Sequence, residues 1–573
     1  MKKIKLRHLA SLLMAALVLS SCGGLNKMKE DATTINYSVT PQVLVDKGGE
    51  VEITLKAQFP EKYFNKKAIV TATPVLKYAN GETEFEPTAL QGESVEANNK
   101  VISYADGGSY TYTGKVPFTK DMMKSELVVR MSGAIGDNTV DFGEVKVADG
   151  VIATETLVEN DPKVILEADK YQRITPESYQ ADIQYVINRS YVRPKETRKE
   201  SIQELQDYIK KASENERLDL KGMKISAYAS PDGPYDFNKE LSEDRQASAK
   251  KYVERQLKKD KVQKADQDDF LSLMSTAEDW EGFKELMEKS NIPDKELVLR
   301  VLSMYSDPAV REKEIKNISA AYKEIAEKIL PPLRRSKLVA EVDKIGLSDD
   351  EIMSLVGSNP DSLTVEQMLY AATLTNDMNK KLSIYQKTAE QYPTCYRAQN
   401  NIGYVNMKLG NVDEAKTAFE AAQKLNNTDV VKNNLGAVAL KQGDTAKAEG
   451  LFTQAMGAGD VVNYNLGIVN IMKGNYEAAV NYFGNACEFD AALAKVLNGQ
   501  NDAAVTTLNC VKNDDAMVYY LKAVIGARTD NTDMLFNNLR TAVGKDASLK
   551  DYAQKDMEFG KYFENDTFTS IVQ

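Results

Sequence analysis

The sequence predicts a multidomain α+β protein: an N-terminal β-sandwich, a central α/β domain with a helical insertion, and a C-terminal α-solenoid of repeats. Three observations predict it. Apolar and polar residues alternate along short runs before residue 150, with turn residues between them. A strand, glycine turn and helix pattern surrounds residues 220–247. A unit recurring at intervals of 33 and 31 residues follows residue 396. At 573 residues, the chain is long enough for several separate cores.

Lys2, Lys3, Lys5 and Arg7 precede an apolar run from Leu9 to Leu19, which is short for a membrane span. Small residues then lead to Cys22 in Leu19-Ser-Ser-Cys. Residues 1–21 read as a secretory signal. The segment resembles a bacterial lipoprotein signal, in which the cysteine becomes the first residue and carries acyl chains. That resemblance implies lipidation of Cys22, membrane anchoring through the lipid, and a place in the outer membrane. An ordinary cleaved signal with an incidental cysteine is the other reading. Gly23 and Gly24 carry no clear mark of surface display, so the expected side is the periplasm.

Lysine and arginine number 73 against 84 acids, a net charge of -11. Loss of the signal removes four positive charges and leaves -15. So acidic a chain lacks the basic footprint that nucleic acid requires. The only histidine, His8, lies in the signal, which excludes histidine-based triads and histidine-ligated metals from the rest. Cys395, Cys487 and Cys510 form no CxxC pair, so neither a metal site nor a cofactor is expected. Cys487 and Cys510 stand at the ends of successive repeat helices. A disulfide and a pair of buried small apolar side chains are both open, and the latter is favoured.

Residues 22–33 are polar and read as a tether. A β-sandwich is expected over 34–150, with strands near 51–56, 68–77, 109–115 and 127–131 and turns at Asn80-Gly81 and Asp106-Gly107-Gly108. Tyr104, Tyr110 and Tyr112 fit either a sugar-stacking surface or, preferably, cover for a sheet face.

In the central region a strand over 181–193, a helix over 196–215 and a strand over 220–230 lead into Tyr228-Ala-Ser-Pro-Asp-Gly233-Pro-Tyr-Asp-Phe-Asn238-Lys-Glu-Leu241-Ser242-Glu-Asp-Arg245-Gln-Ala247. This run resembles the signature of the OmpA-like peptidoglycan-binding family; Gly233, Asn238, Leu241, Ser242, Arg245 and Ala247 fall in register. Leu333-Arg334-Arg335 and the strand after it resemble the family's closing strand. The resemblance covers 160–345, with a helical insertion at about 277–330 that contains Trp280, read as core. It implies that Arg245 binds the carboxylate of the diamino acid in a peptidoglycan stem peptide. The partner acid of the family falls at Ser230, and Asp232 stands two residues on, after Pro231. Loss of that charge-assisted bond costs about 1.5–3 kcal/mol. Asn238 or Ser242 can cap the first helical turn. Arg245 has a second reading, pairing with Asp236 or Glu240.

After residue 363 the periodic signal dominates. Asn401-Ile-Gly403, Asn434-Leu-Gly436 and Asn465-Leu-Gly467 recur in phase, with Phe419, Phe452 and Phe483 sixteen residues after each glycine. The pattern resembles the tetratricopeptide repeat and implies a solenoid of five to six units over 363–573, with a concave groove for a peptide or partner protein. Asn400, Asn401, Asn433, Asn434, Asn463 and Asn465 are the candidate groove residues, because an amide can clamp an extended backbone. The expected whole is an envelope scaffold, not an enzyme: a lipid anchor, a domain for peptidoglycan, and repeats that recruit a protein. The alternative is a pure protein-interaction adaptor for a surface or secretion complex, with an OmpA-like domain that has lost its ligand. An envelope hydrolase would need paired carboxylates in a cleft, and no motif offers them.

Overall fold

The computed structural model describes residues 24–573; Cys22 lies outside the described residues. The backbone separates into two compact units. One joins the chain through Ala168 with Asn376–Gln573, and the other is Asp169–Thr375.

The first unit begins with a helix over 24–30, which replaces the expected tether. Leu25 and Met28 lie three residues apart on one helical face and are buried in the sandwich core, so this segment is part of the domain. In the sandwich, strand Glu50–Phe59 pairs with Asn36–Thr40 and Gly108–Pro117. The other layer runs Asn138–Ile152, Ser125–Ile135, Ile69–Tyr78, Thr88–Gly92, Lys100–Ile102. Strand Val43–Lys47 belongs to both layers. Its first half pairs in parallel with Asn138–Ile152 and its last two residues pair antiparallel with Glu50–Phe59. Val51, Ile53, Leu55, Ala57 and Phe59 alternate inward, as period-two burial requires. Tyr110 and Tyr112 are buried in this core, and Tyr104 is exposed. The long strand Asn138–Ile152 was not among those expected from the sequence.

The C-terminal part of the same unit stacks helix pairs: Tyr396–Leu409 with Val412–Leu425, Asp429–Lys441 with Thr445–Gln454, Asp460–Met472 with Tyr476–Phe483, Phe489–Leu497 with Asn501–Cys510, and Ala516–Arg528 with Thr532–Lys545. A single helix, Met378–Gln391, precedes them. The array therefore starts later than residue 363; the helices Asp349–Ser358 and Val365–Ala371 belong to the other unit. The recurring glycines have a packing cause. A Cβ on Gly403, Gly436 or Gly467 would lie 2.5, 2.7 or 2.6 Å from the ring of Phe419, Phe452 or Phe483. Each glycine lets the first helix of a pair rest against the phenylalanine of the second. Cys487 and Cys510 form a disulfide, against the buried-thiol reading favoured from sequence. It closes the repeat whose first helix, Phe489–Leu497, is only nine residues long.

The second unit holds a four-stranded sheet in the order Ile174–Gln184, Arg335–Ile345, Leu218–Tyr228, Leu271–Thr276. The first three are antiparallel neighbours and the last pair is parallel. Helices Glu200–Glu214 and Tyr235–Lys259 pack on it through Ile202, Leu205, Ile209, Ala249, Val253 and Leu257. The helices of 280–333 form a small core of their own around Phe283, Met287, Val298 and Ile329. Trp280 packs at its margin, edge-on to Phe283.

Gly436→Ala is expected to force the Phe452 ring aside and to destabilise the repeat array by about 1–3 kcal/mol. Denaturant unfolding followed by far-ultraviolet circular dichroism checks this; an unchanged helical transition would contradict the packing.

Candidate functional site

The concave side of the repeats is filled by the chain itself. After the sandwich, residues 158–168 run as an extended strap along the first helices of the pairs. The near end is fixed by buried groups. Thr154 donates to Glu558, and Glu155 accepts from the Gly48 N–H (2.9 Å) and the Tyr476 hydroxyl (2.5 Å). Leu157 joins the repeat core.

From there the backbone is held at alternate residues by the in-phase asparagines. The Lys163 N–H donates to Asn465 Oδ1 (2.7 Å), and Asn465 Nδ2 donates to the Lys163 carbonyl (2.9 Å). Ile165 has the same double bond with Asn434 (2.7 Å each way). Glu167 has it with Asn401 (2.9 Å each way). One repeat thus serves two residues of extended chain, about 6.5 Å of rise. The strap runs against the order of the repeats.

A second set of amides braces the first. Asn400 Nδ2 donates to the Ile165 carbonyl (3.1 Å) and Asn433 Nδ2 to the Lys163 carbonyl (3.1 Å). Asn434 also donates to Asn400 Oδ1 (2.9 Å), and Asn465 to Asn433 Oδ1 (3.0 Å). All five amides are buried, so each donor and acceptor needs its partner. In the third repeat Tyr464 stands where Asn400 and Asn433 stand. Its ring lies 4.0 Å below the Lys163 ammonium, which also pairs with Glu488. Asn463 is only half-buried. In the fourth repeat an acid, Asp490, takes the asparagine place and accepts the Glu159 N–H (2.9 Å). Burial pushes its carboxyl up to about 8; the N–H of Glu159 opposes this and the Glu159 charge adds to it. Asp490 was not among the residues singled out from the sequence. Its place, in phase with the asparagines, was the signal available.

The other candidate cluster lies in the second unit. Arg245 is 1% exposed. Its guanidinium donates to the carbonyls of Tyr228 (2.7 Å), Arg189 (3.1 Å) and Val186 (3.5 Å), and it lies 5.1 Å from the Tyr185 ring centroid. These partners are carbonyls, not the carboxylates of Asp236 or Glu240 expected in the pairing reading. Burial lowers its pKa to about 10. Ser230 is buried and donates to Asp232 (2.6 Å). Asp232 pairs with Arg334 (3.0 Å), which also donates to the Ser230 hydroxyl (3.2 Å). Asn238 does not cap its helix; its amide donates to the carbonyls of Ser230 (3.2 Å) and Gly233 (2.9 Å) and ties the turn down. Arg335, beside Arg334, pairs with Asp279 (3.0 Å). Among the described residues, no group of three His, Cys, Asp or Glu side chains is placed to hold a metal ion.

The family model of the tetratricopeptide repeat matches residues 396–429, the first full helix pair. Solved structures similar to the chain include a tetratricopeptide repeat protein from Parabacteroides merdae, at 13% identity over 36% of this chain and 91% of that one, TM-score 0.29. Another is pilF of Pseudomonas aeruginosa, at 15% identity over 37% and 97%, TM-score 0.29. A third is YrrB, described as a tetratricopeptide repeat protein with an unusual peptide-binding site, at 18% identity over 37% and 100%, TM-score 0.22. No curated protein matches the sequence. The C-terminal region therefore contains a tetratricopeptide repeat, and its repeats support an adaptor role in protein interaction.

Asn434→Ala is expected to leave the Ile165 N–H and carbonyl without their main partner, at a cost of about 1–3 kcal/mol. Hydrogen exchange should quicken at 163–167 while helix Asp429–Lys441 stays protected; equal protection in mutant and wild type would contradict the clamp. Asp490 makes a pH prediction. Its folded pKa is raised above the unfolded value, so its contribution is complete in acid below the ordinary carboxylate range. It is lost as pH rises toward about 8. Asp490→Asn, an amide like those of the other repeats, should flatten the fall of the melting temperature between pH 5 and 8. An identical slope in both proteins would contradict the assignment.

Proposed function

We propose that the chain is a lipid-anchored envelope adaptor whose repeats serve protein assembly and whose central unit is an OmpA-like fold without the family's ligand. The observation that carries this reading is the use made of Arg245. In the resemblance it is the residue that meets the stem-peptide carboxylate. Here its nitrogens face three backbone carbonyls and its side chain is buried. Asp232, two residues past the place of the family's acid, is paired with Arg334. A ligand would have to break both arrangements, and breaking hydrogen bonds to a charged group costs about 1.5–3 kcal/mol each.

Export is supported by the signal-like run before Cys22 and by the Cys487–Cys510 disulfide, a bond that persists in oxidising compartments. Acyl chains on Cys22 would hold the protein at the outer membrane, facing the periplasm, each buried CH2 adding about 0.8 kcal/mol. The sandwich and the repeats, joined by the strap, form the scaffold behind that anchor.

Two measurements check the reading. In co-sedimentation with purified sacculi, the wild type and Ser230→Asp should both stay in the supernatant. Sedimentation of the wild type that is lost in Arg245→Lys would restore peptidoglycan binding. In cells fed a labelled fatty acid, the wild type should carry label and Cys22→Ser should not; equal label in both would remove the anchor.

A further inference from the structure

We propose that the asparagine groove is a receptor for an extended segment of a partner protein, and that residues 158–168 are its resident, replaceable occupant. The inference rests on the adaptor reading above and names the chemistry of its partner.

Recognition in the groove is mostly of backbone. Asn465, Asn434 and Asn401 each read one N–H and one carbonyl, at Lys163, Ile165 and Glu167. Any extended chain offers these groups unless proline stands at one of the three places, where the N–H is missing. Side chains add a preference. The first clamped residue meets Glu488 and the face of Tyr464, a site for lysine or arginine. The next side chain, Val164, packs on the repeat core and suits an aliphatic residue. The partner is therefore an extended segment with a basic residue, then an aliphatic one, and no proline at the first, third or fifth place.

The strap is built to yield from one end. Its near end is held by buried Thr154, Glu155 and Leu157. Residues 163–167 are only half-buried. Beyond Ala168, whose carbonyl accepts from Arg397 (3.1 Å), the chain passes directly into a separate compact unit. Release should begin at Glu167 and move toward Lys163, and each amide freed is then open to the incoming backbone. A filled groove weakens the apparent affinity for a partner by the fraction of molecules in which it is open.

The test uses the full chain and a fluorescent peptide of residues 157–169. Lys163→Pro with Ile165→Pro removes two strap N–H groups and keeps the strap extended. The peptide should bind this variant at least about tenfold more tightly than the wild type. Adding Asn434→Ala should abolish the gain, and a peptide carrying Lys163→Glu should bind more weakly. A folded variant that binds no better than the wild type would overturn the proposal. Hydrogen exchange of the wild type decides the matter independently of that variant. Excess peptide should deprotect 163–167 of the chain, Glu167 first, and unchanged protection at saturating peptide would overturn it. Sacculi binding is read separately, so failure here leaves the adaptor reading to stand or fall on its own result.

Discussion

An extended chain laid against helices has no neighbouring strand to take its N–H and carbonyl groups, and the amides that it meets here are buried. The repeats meet this constraint with a side chain that is donor and acceptor at once. Carboxylates would accept from the N–H and repel the carbonyl; lysine or arginine would do the reverse. An asparagine amide bonds both on the same residue. Three of them, one helix pair apart, hold Lys163, Ile165 and Glu167. The join between the sandwich and the repeats draws on this, beside direct contacts such as Lys47 over the Tyr476 ring. The sandwich and the repeats are far apart in sequence, and the strap that links them runs through the amides. Thr154, Glu155 and Leu157 finish the join with buried bonds and apolar contact.

The recurring glycine and phenylalanine positions follow from the same geometry. The first helix of each pair must carry small residues on the side that faces the second helix, where Phe419, Phe452 and Phe483 sit, and polar amides toward the groove. Asparagine buried in a helix would be unfavourable without partners. Here each has backbone on one side and another amide on the other, so the ladder is satisfied along its length. Asp490 continues the row: burial pushes its carboxyl up to about 8, and its Oδ1 accepts one more backbone N–H near the anchored end.

Much of this was legible in the sequence, for physical reasons. A repeat of fixed period imposes its glycines and phenylalanines on the chain, so the helix pairs and the in-phase asparagines could be read directly. The signature around Gly233 and Arg245 pointed to a strand over 220–230, a turn and a helix, and the structure has the strand at Leu218–Tyr228 and the helix at Tyr235–Lys259. The occupant of the groove was not legible. Residues 158–168 are short and have no strand partner, and their partners lie some 230 to 330 positions away. The helix at 24–30 was read as a tether because Leu25 and Met28 are two apolar residues in a polar run. The arrangement of Arg245 with three carbonyls, and of Asp232 with Arg334, depends on loops whose course no local pattern gives.

The ion pairs that flank the strap offer the most direct measurement of its place. Lys163 pairs with Glu488, and Lys441 lies 3.5 Å from Asp161. A carbodiimide joins an amine to a carboxylate only when they touch, adding no spacer. Mass spectrometry of the monomer after this treatment should find Lys163 joined to Glu488 and Lys441 joined to Asp161. Lys473 with Glu449, 2.7 Å apart within the repeats, serves as the internal standard. Formation of the Lys473–Glu449 link without either strap link would contradict a groove filled by residues 158–168.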